Sequence, residues 1–287
     1  MGKEELLNRI KAKAGEAGGA SKAGTATLTK PTPAAKPAVP EDKWITRTHE
    51  VKAPRMRMFT FHYAGGSRAM YADWYKDLPE DVEVCSVQLP GRENRMEETP
   101  FRDFFPLIQS LGKAIQPYLD IPYVTFGHCM GGLTSFELIR QLRRSNQPLP
   151  QQMFISAFIG PQIKNPTSTI MRISGNTIDD FFDILGGTPD SIKENFGLMN
   201  MNRPIMEADN DLLRAYGYVE DDPLDIPISL FAASNDKLVH VHEVERWADQ
   251  TTKQFELKLF PGDHFYIFSH RPWLMKALNK RLDGIKV

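Results

Sequence analysis

The chain has 287 residues, a net charge of −1 and a hydrophobic content of 41%, enough to bury one sizeable core beside an appendage. The near-zero charge gives no electrostatic reason to expect a nucleic acid or an anionic membrane as partner. No apolar run approaches the ~20 residues of a bilayer-spanning helix, and the stretch MGKEELLNRIKAKAGEAGG lacks the apolar segment of a secretory signal. The two cysteines, Cys85 and Cys129, form no C-x-x-C pair, so neither a disulfide framework nor a structural zinc site is expected. A reducing cytoplasm fits this usage and would keep a reactive thiol free.

Residues 1–50 read as a flexible N-terminal tail or tether. Residues 4–14 have the pattern of a short helix with Leu6, Leu7 and Ile10 on one face. Residues 15–40 are mostly Ala, Gly, Thr, Lys and Pro, which cannot bury enough apolar surface to order themselves. From 51 to 287 strand and helix patterns alternate, predicting a mostly parallel sheet with helices on both faces. Strands are expected at 57–61, 83–88, 123–126, 153–158, 228–232 and 256–260, and helices at 70–77, 104–119, 132–143, 241–248 and 272–282. Between about 162 and 222 the alternation stops, and three short helices (178–185, 191–196 and 203–218) are predicted in succession.

The residues with the clearest chemical message are Gly127-His128-Cys129-Met130-Gly131, set between the apolar run 123–126 and an amphipathic stretch over 132–144. A strand that breaks into a helix across G-x-nucleophile-x-G is the nucleophile elbow of the α/β-hydrolase fold. The nucleophile occupies strained backbone there, and side chains two positions either side would collide with the neighbouring strand and helix. In such a fold the 162–222 insertion would be a lid. Its Met, Phe and Ile content, Met206 included, would line an acyl channel or serve as ordinary helix packing.

Chain order then asks for an acid after a later strand and a histidine after the last one. Asp236 ends the run Phe231-Ala232-Ala233-Ser234-Asn235, and His264 follows Leu259-Phe260-Pro261-Gly262-Asp263. His264 would take the Cys129 proton and return it to the leaving group, while Asp236 would hold the imidazole tautomer. An adjacent imidazolium and a helix N-terminus both favour the thiolate, so the pair is expected to rest as thiolate and imidazolium. Asp263 ranks behind Asp236, because its position on the turn would aim it elsewhere. His240 and His242 read as a helix start, with no third well-spaced ligand to make a metal site. The oxyanion hole would use the backbone N–H of Met130 and that of Ala64, in the glycine-rich loop Phe61-His62-Tyr63-Ala64-Gly65-Gly66-Ser67. Cofactor and metal are both expected to be absent.

Four motifs in order make the chain resemble the type II thioesterases, the stand-alone editing enzymes of polyketide and nonribosomal peptide assembly lines. The resemblance runs from about residue 57 to 282. The family's F-P-H-A-G-G stands as Phe61-His62-Tyr63-Ala64-Gly65-Gly66, and its Q-L-P-G-R-x-x-R-x-x-E is intact from Gln88 through Arg92 and Arg95 to Glu98. Its G-H-S-M-G-G stands as Gly127-His128-Cys129-Met130-Gly131-Gly132, and G-D-H-F as Gly262-Asp263-His264-Phe265. There are two departures: His62-Tyr63 replaces Pro-His, and Cys129 replaces the usual serine.

The resemblance implies hydrolysis of acyl chains carried on the phosphopantetheine arm of an acyl or peptidyl carrier protein, with the arm arriving as part of the substrate. Release by cyclisation or acyl transfer is an alternative, since acyl-cysteine is itself a thioester and stays activated. A non-catalytic carrier-binding module is another. A carrier's acidic helix would find Arg140, Arg143 and Arg144 after the elbow, although such residues also suit a solvated face. The tail helix would then be a docking element.

Overall fold

The computed structural model describes residues 42–164 and 196–286, with side chains from 203 onward in the second stretch. Among these residues seven strands form one sheet: β1 (Ile45–Arg47), β2 (Met56–Phe61), β3 (Val82–Val87), β4 (Tyr123–His128), β5 (Gln152–Ser156), β6 (Ile228–Ala233) and β7 (Phe255–Phe260). The helices are α1 (Phe104–Ile115), α2 (Met130–Arg144), α3 (Phe196–Ala215), the single turns α4 (Val241–Val244) and α5 (Tyr266–Ser269), and α6 (Arg271–Gly284).

The strand order is β1-β3-β2-β4-β5-β6-β7. All neighbours are parallel except β1, which runs antiparallel to β3. This is the α/β-hydrolase architecture read from the sequence. The chain leaves β2 for β3 on one side and later returns to place β4 on the other. The carboxyl ends of β2 and β4 therefore open side by side, where open α/β sheets form their binding crevices.

Period-two alternation sorts the strand side chains between two cores. Met56, Met58, Val124, Phe126, Phe154 and Phe231 pack with Tyr71, Trp74 and the α6 residues Leu274 and Leu278 on one face. Phe59, Phe61, Met153, Ile155 and Leu230 pack with α1 and α2 on the other. Both faces are covered, so β4 is buried along its whole length. In α1 the buried positions Phe104, Leu107, Ile108, Leu111 and Ile115 make the stripe of a surface helix. Its N-cap Asp103 accepts a hydrogen bond from the Phe105 N–H at 2.8 Å.

Several elements differ from the sequence expectation. β1 lies inside the stretch read as tail, so the sheet begins before residue 50; three residues are too few to show a period. The helix expected at 70–77 is two 3₁₀ turns, Arg68–Tyr71 and Trp74–Lys76. The one expected at 241–248 is α4 followed by a 3₁₀ turn. The third insertion helix, expected at 203–218, is longer and earlier as α3, which carries Pro204 in its interior. The insertion helices at 178–185 and most of 191–196 lie outside the described residues, as does the tail helix at 4–14.

Candidate active site

Cys129 sits between β4 and α2 at φ 56° and ψ −125°, a conformation that costs on the order of 1–3 kcal/mol. Its N–H donates to the Ser156 carbonyl at 2.7 Å, which fastens the turn to β5. The flanking glycines are sterically required. A Cβ on Gly127 would lie 2.2 Å from the Gly131 carbonyl oxygen, and one on Gly131 would lie 2.1 Å from that of Phe61. The start of α2 is thus in backbone contact with the end of β2.

The three side chains expected to act together are brought together. His264 Nδ1 lies 2.8 Å from Asp236 Oδ2, with both side chains buried. The Cys129 thiol lies near the same imidazole and helps to favour its charged form; with Nδ1 committed to Asp236, Nε2 is the nitrogen left for it. Asp236 Oδ1 accepts from the N–H groups of Leu238 at 2.8 Å and Val239 at 3.2 Å, which fixes the carboxylate. Burial alone would lower the His264 pKa. The Asp236 charge and hydrogen bond, with the Cys129 contact, outweigh it and push the value up to about 10. Asp263 is turned away and caps the Phe265 N–H at 2.9 Å.

The loop after β2 closes as a turn, with Gly66 N–H donating to Tyr63 O at 2.9 Å and Gly65 at φ +77°. That φ is what the second central position of a type II turn requires. Ala64, the first central residue, is buried beside the elbow. Among the described residues no backbone acceptor is recorded for the Ala64 or the Met130 N–H.

Several features were not foreseen in the sequence. Tyr63 makes edge contacts with Phe265 at 5.3 Å and Phe268 at 6.4 Å between centroids, an aromatic wall beside the thiol. Burial, then the nearness of Cys129, raises the Tyr63 pKa. His128 is buried and kept neutral by burial and by the His264 charge; its Nδ1 pairs with Ser156 Oγ at 2.8 Å. Arg92, known in sequence only as part of a motif, forms a buried two-point pair with Asp209 of α3 at 2.8 and 2.9 Å. No local pattern marks Asp209.

Two expectations are corrected. The third ligand thought missing beside His240 and His242 is Glu243, and their ligand atoms all lie within 4.8 Å of one another. The one-turn helix α4 brings Glu243 back over His240, whose carbonyl accepts the Glu243 N–H at 2.9 Å. Arg140 is buried rather than part of a solvated face, and Arg140, Arg143 and Arg144 all pair with Asp221. Asp221, with Glu137 beside Arg140, answers part of their charge from within the chain. Among the described residues no helix is long and apolar enough to cross a membrane.

The α/β-hydrolase sheet thus carries an elbow turn after β4, and a carboxylate and an imidazole after β6 and β7, all at its carboxyl end. The thioesterase domain family matches residues 56–282, and the chain belongs to that family, whose members are hydrolases acting on thioester bonds. It is 32% identical over 241 residues to the gramicidin S biosynthesis protein GrsT of Aneurinibacillus migulanus, covering 84% of this chain and 94% of that one. It is also 32% identical over 255 residues to a Brevibacillus parabrevis protein named linear gramicidin dehydrogenase LgrE, covering 88% and 97%. The solved type II thioesterase BorB from the borrelidin biosynthetic cluster superposes with a TM-score of 0.76 at 26% identity, covering 84% of this chain and 98% of BorB.

Proposed function

We propose that the chain hydrolyses acyl thioesters presented on the phosphopantetheine arm of an acyl or peptidyl carrier protein in a polyketide or nonribosomal peptide pathway, through an acyl-Cys129 intermediate. The observation that carries this reading is the Asp236–His264 contact at 2.8 Å behind an elbow cysteine. The pathway assignment draws on GrsT and BorB. The sequence has no two glycines two apart, so it does not carry the G-x-G-x-x-G dinucleotide cradle that a dehydrogenase such as the name of LgrE describes would use.

In this mechanism Cys129 sulfur attacks the thioester carbonyl while His264 Nε2 holds the thiol proton. The carbonyl oxygen becomes an oxyanion that accepts from the N–H groups of Ala64 and Met130, donors typically worth ~3 kcal/mol each in the transition state. Collapse breaks the carbon–sulfur bond to the carrier arm, whose thiolate takes the proton from His264. Water then attacks acyl-Cys129, giving its proton to His264, and the acid leaves with Cys129 restored. Asp236 keeps Nδ1–H directed and balances the imidazolium. The insertion bearing α3 acts as the lid, and a reducing cytoplasm keeps Cys129 as a thiol.

Intact-protein mass spectrometry with an acyl-N-acetylcysteamine thioester tests this. A transient adduct on Cys129 that decays to free acid is expected, and Cys129→Ala should keep the fold and lose turnover. Retained turnover in that variant would sink the assignment. The cysteine itself favours a second reading: acyl-Cys129 remains an activated thioester. An adduct that clears only with an added amine or alcohol would identify a transferase or cyclase.

A further inference from the structure

We propose that Arg92 and Asp209 are positioning residues that tie helix α3 to the turn at residues 63–66 and thereby fix the Ala64 N–H for the developing oxyanion. This rests on the reading of Cys129 and Ala64 given above. The residues stand 117 apart in sequence, and the contact they make is fully buried, with side-chain exposures of 3% and 1%.

The wiring is specific. Asp209 Oδ1 accepts from Arg92 Nη2 at 2.8 Å. Asp209 Oδ2 accepts from Arg92 Nη1 at 2.9 Å and from the Gly65 N–H at 2.8 Å. Arg92 Nη1 also donates to the Gly66 carbonyl at 3.0 Å. One ion pair therefore grips the turn from both sides of Gly65. His62, the residue that opens the loop, joins the same network. Its Nε2 faces Arg92 Nη1 at 3.5 Å and its Nδ1 lies 2.9 Å from Tyr63 O. Burial, with the Arg92 charge, lowers its pKa to about 4, so the neutral ring donates from Nδ1 and presents a lone pair to the guanidinium.

Packing repeats the message. A Cβ on Gly65 would lie 2.5 Å from Met206 Cγ, so α3 rests directly on the turn backbone. The Ala64 and Gly65 N–H groups belong to adjacent peptide planes hinged at the Ala64 Cα. Fixing the second plane through Asp209, while Gly66 closes the turn onto Tyr63, restricts the first. Stability alone is a weak reason for such a pair, since well-packed apolar residues often do as well in its place. Directional control of a backbone donor needs polar atoms at set angles. Seating α3 and assembling the oxyanion site become one event.

Asp209→Ala and Asp209→Asn, checked for folding by circular dichroism and thermal melting, separate this from a merely structural role. Two reactions of Cys129 are compared: single-turnover acylation by an acyl-N-acetylcysteamine thioester, and alkylation by iodoacetamide. In alkylation the sulfur displaces iodide from carbon and no oxyanion forms, so the Ala64 N–H has no part in it. Asp209→Ala should slow acylation by about 10²–10³-fold, Asp209→Asn by less because its amide oxygen still accepts from Gly65, and alkylation with its pH profile should stay at the wild-type rate. Acylation and alkylation falling together in Asp209→Asn, or acylation unchanged in both variants, would overturn the proposal. Should Asp209→Ala not fold, Asp209→Asn decides. A wild-type protein that is neither acylated nor alkylated at Cys129 would instead overturn the nucleophile assignment beneath it.

Discussion

At the scale of single residues, the Asp236 carboxylate is held at both oxygens. Two backbone N–H groups hold one oxygen and His264 holds the other. Asparagine would keep the shape but would offer an amide that tolerates the wrong imidazole tautomer. Asp236→Asn should therefore fold and lose up to about 10⁴-fold in turnover; a variant within a few-fold of wild type would remove Asp236 from the mechanism. The same contact sets a pH signature. His264 keeps its proton to about 10 when folded, against about 6.5 for an unfolded histidine. A raised folded pKa means stabilisation that is complete below pH ~6.5 and fades as pH rises toward 10. The urea midpoint of the wild type should fall across that window, and that of Asp236→Asn should fall less. Parallel curves would show that the imidazolium adds nothing to stability.

At the scale of elements, close backbone approach decides which substitutions are tolerated. Gly131→Ala would place a Cβ 2.1 Å from the Phe61 carbonyl oxygen, and neither backbone has a flexible end to move. The start of α2 would have to leave β2, carrying Met130 away from Ala64, so loss of both activity and cooperative unfolding is expected. Gly284→Ala is the contrast: nothing lies within 4 Å of that Cβ position, and alanine should stabilise by up to about 1 kcal/mol through the unfolded chain. Urea melts of both variants check the pair.

The same contrast explains what was legible in the sequence. The elbow, Asp236 and His264 each follow a strand within a few residues, so local pattern sufficed to find them. β1 was not, because Ile45–Arg47 is shorter than any recognisable period and is held by pairing with β3. The turns at 68–76 carry apolar residues at helical spacing, but Tyr71 and Trp74 are placed by packing on Phe126. The Arg92–Asp209 pair and the Tyr63–Phe265–Phe268 wall join segments that only the folded sheet brings together. Nothing local announces them.

At the scale of the whole molecule, the two thiols report on different parts of the fold. Cys129 is also buried, at 4% exposure, but it stands at the carboxyl end of β4 with an imidazole beside it. Cys85 lies in β3, between β1 and β2, opposite Arg47 on one side and Phe59 on the other, and is fully buried. Burial, with the nearby Glu83 charge, pushes its thiol pKa far up, so it has neither access nor thiolate. Iodoacetamide should therefore label Cys129 in the native protein and reach Cys85 only when the sheet opens. For an ordinary domain the unfolded fraction is about 10⁻³–10⁻⁶, and native labelling of Cys85 should be slowed by a comparable factor relative to the unfolded chain. As urea is added, Cys85 labelling should rise in step with the loss of tertiary signal. Cys85 labelling that precedes that loss would mean that the β1 edge detaches on its own, making β1 a separable flap on a six-stranded parallel core.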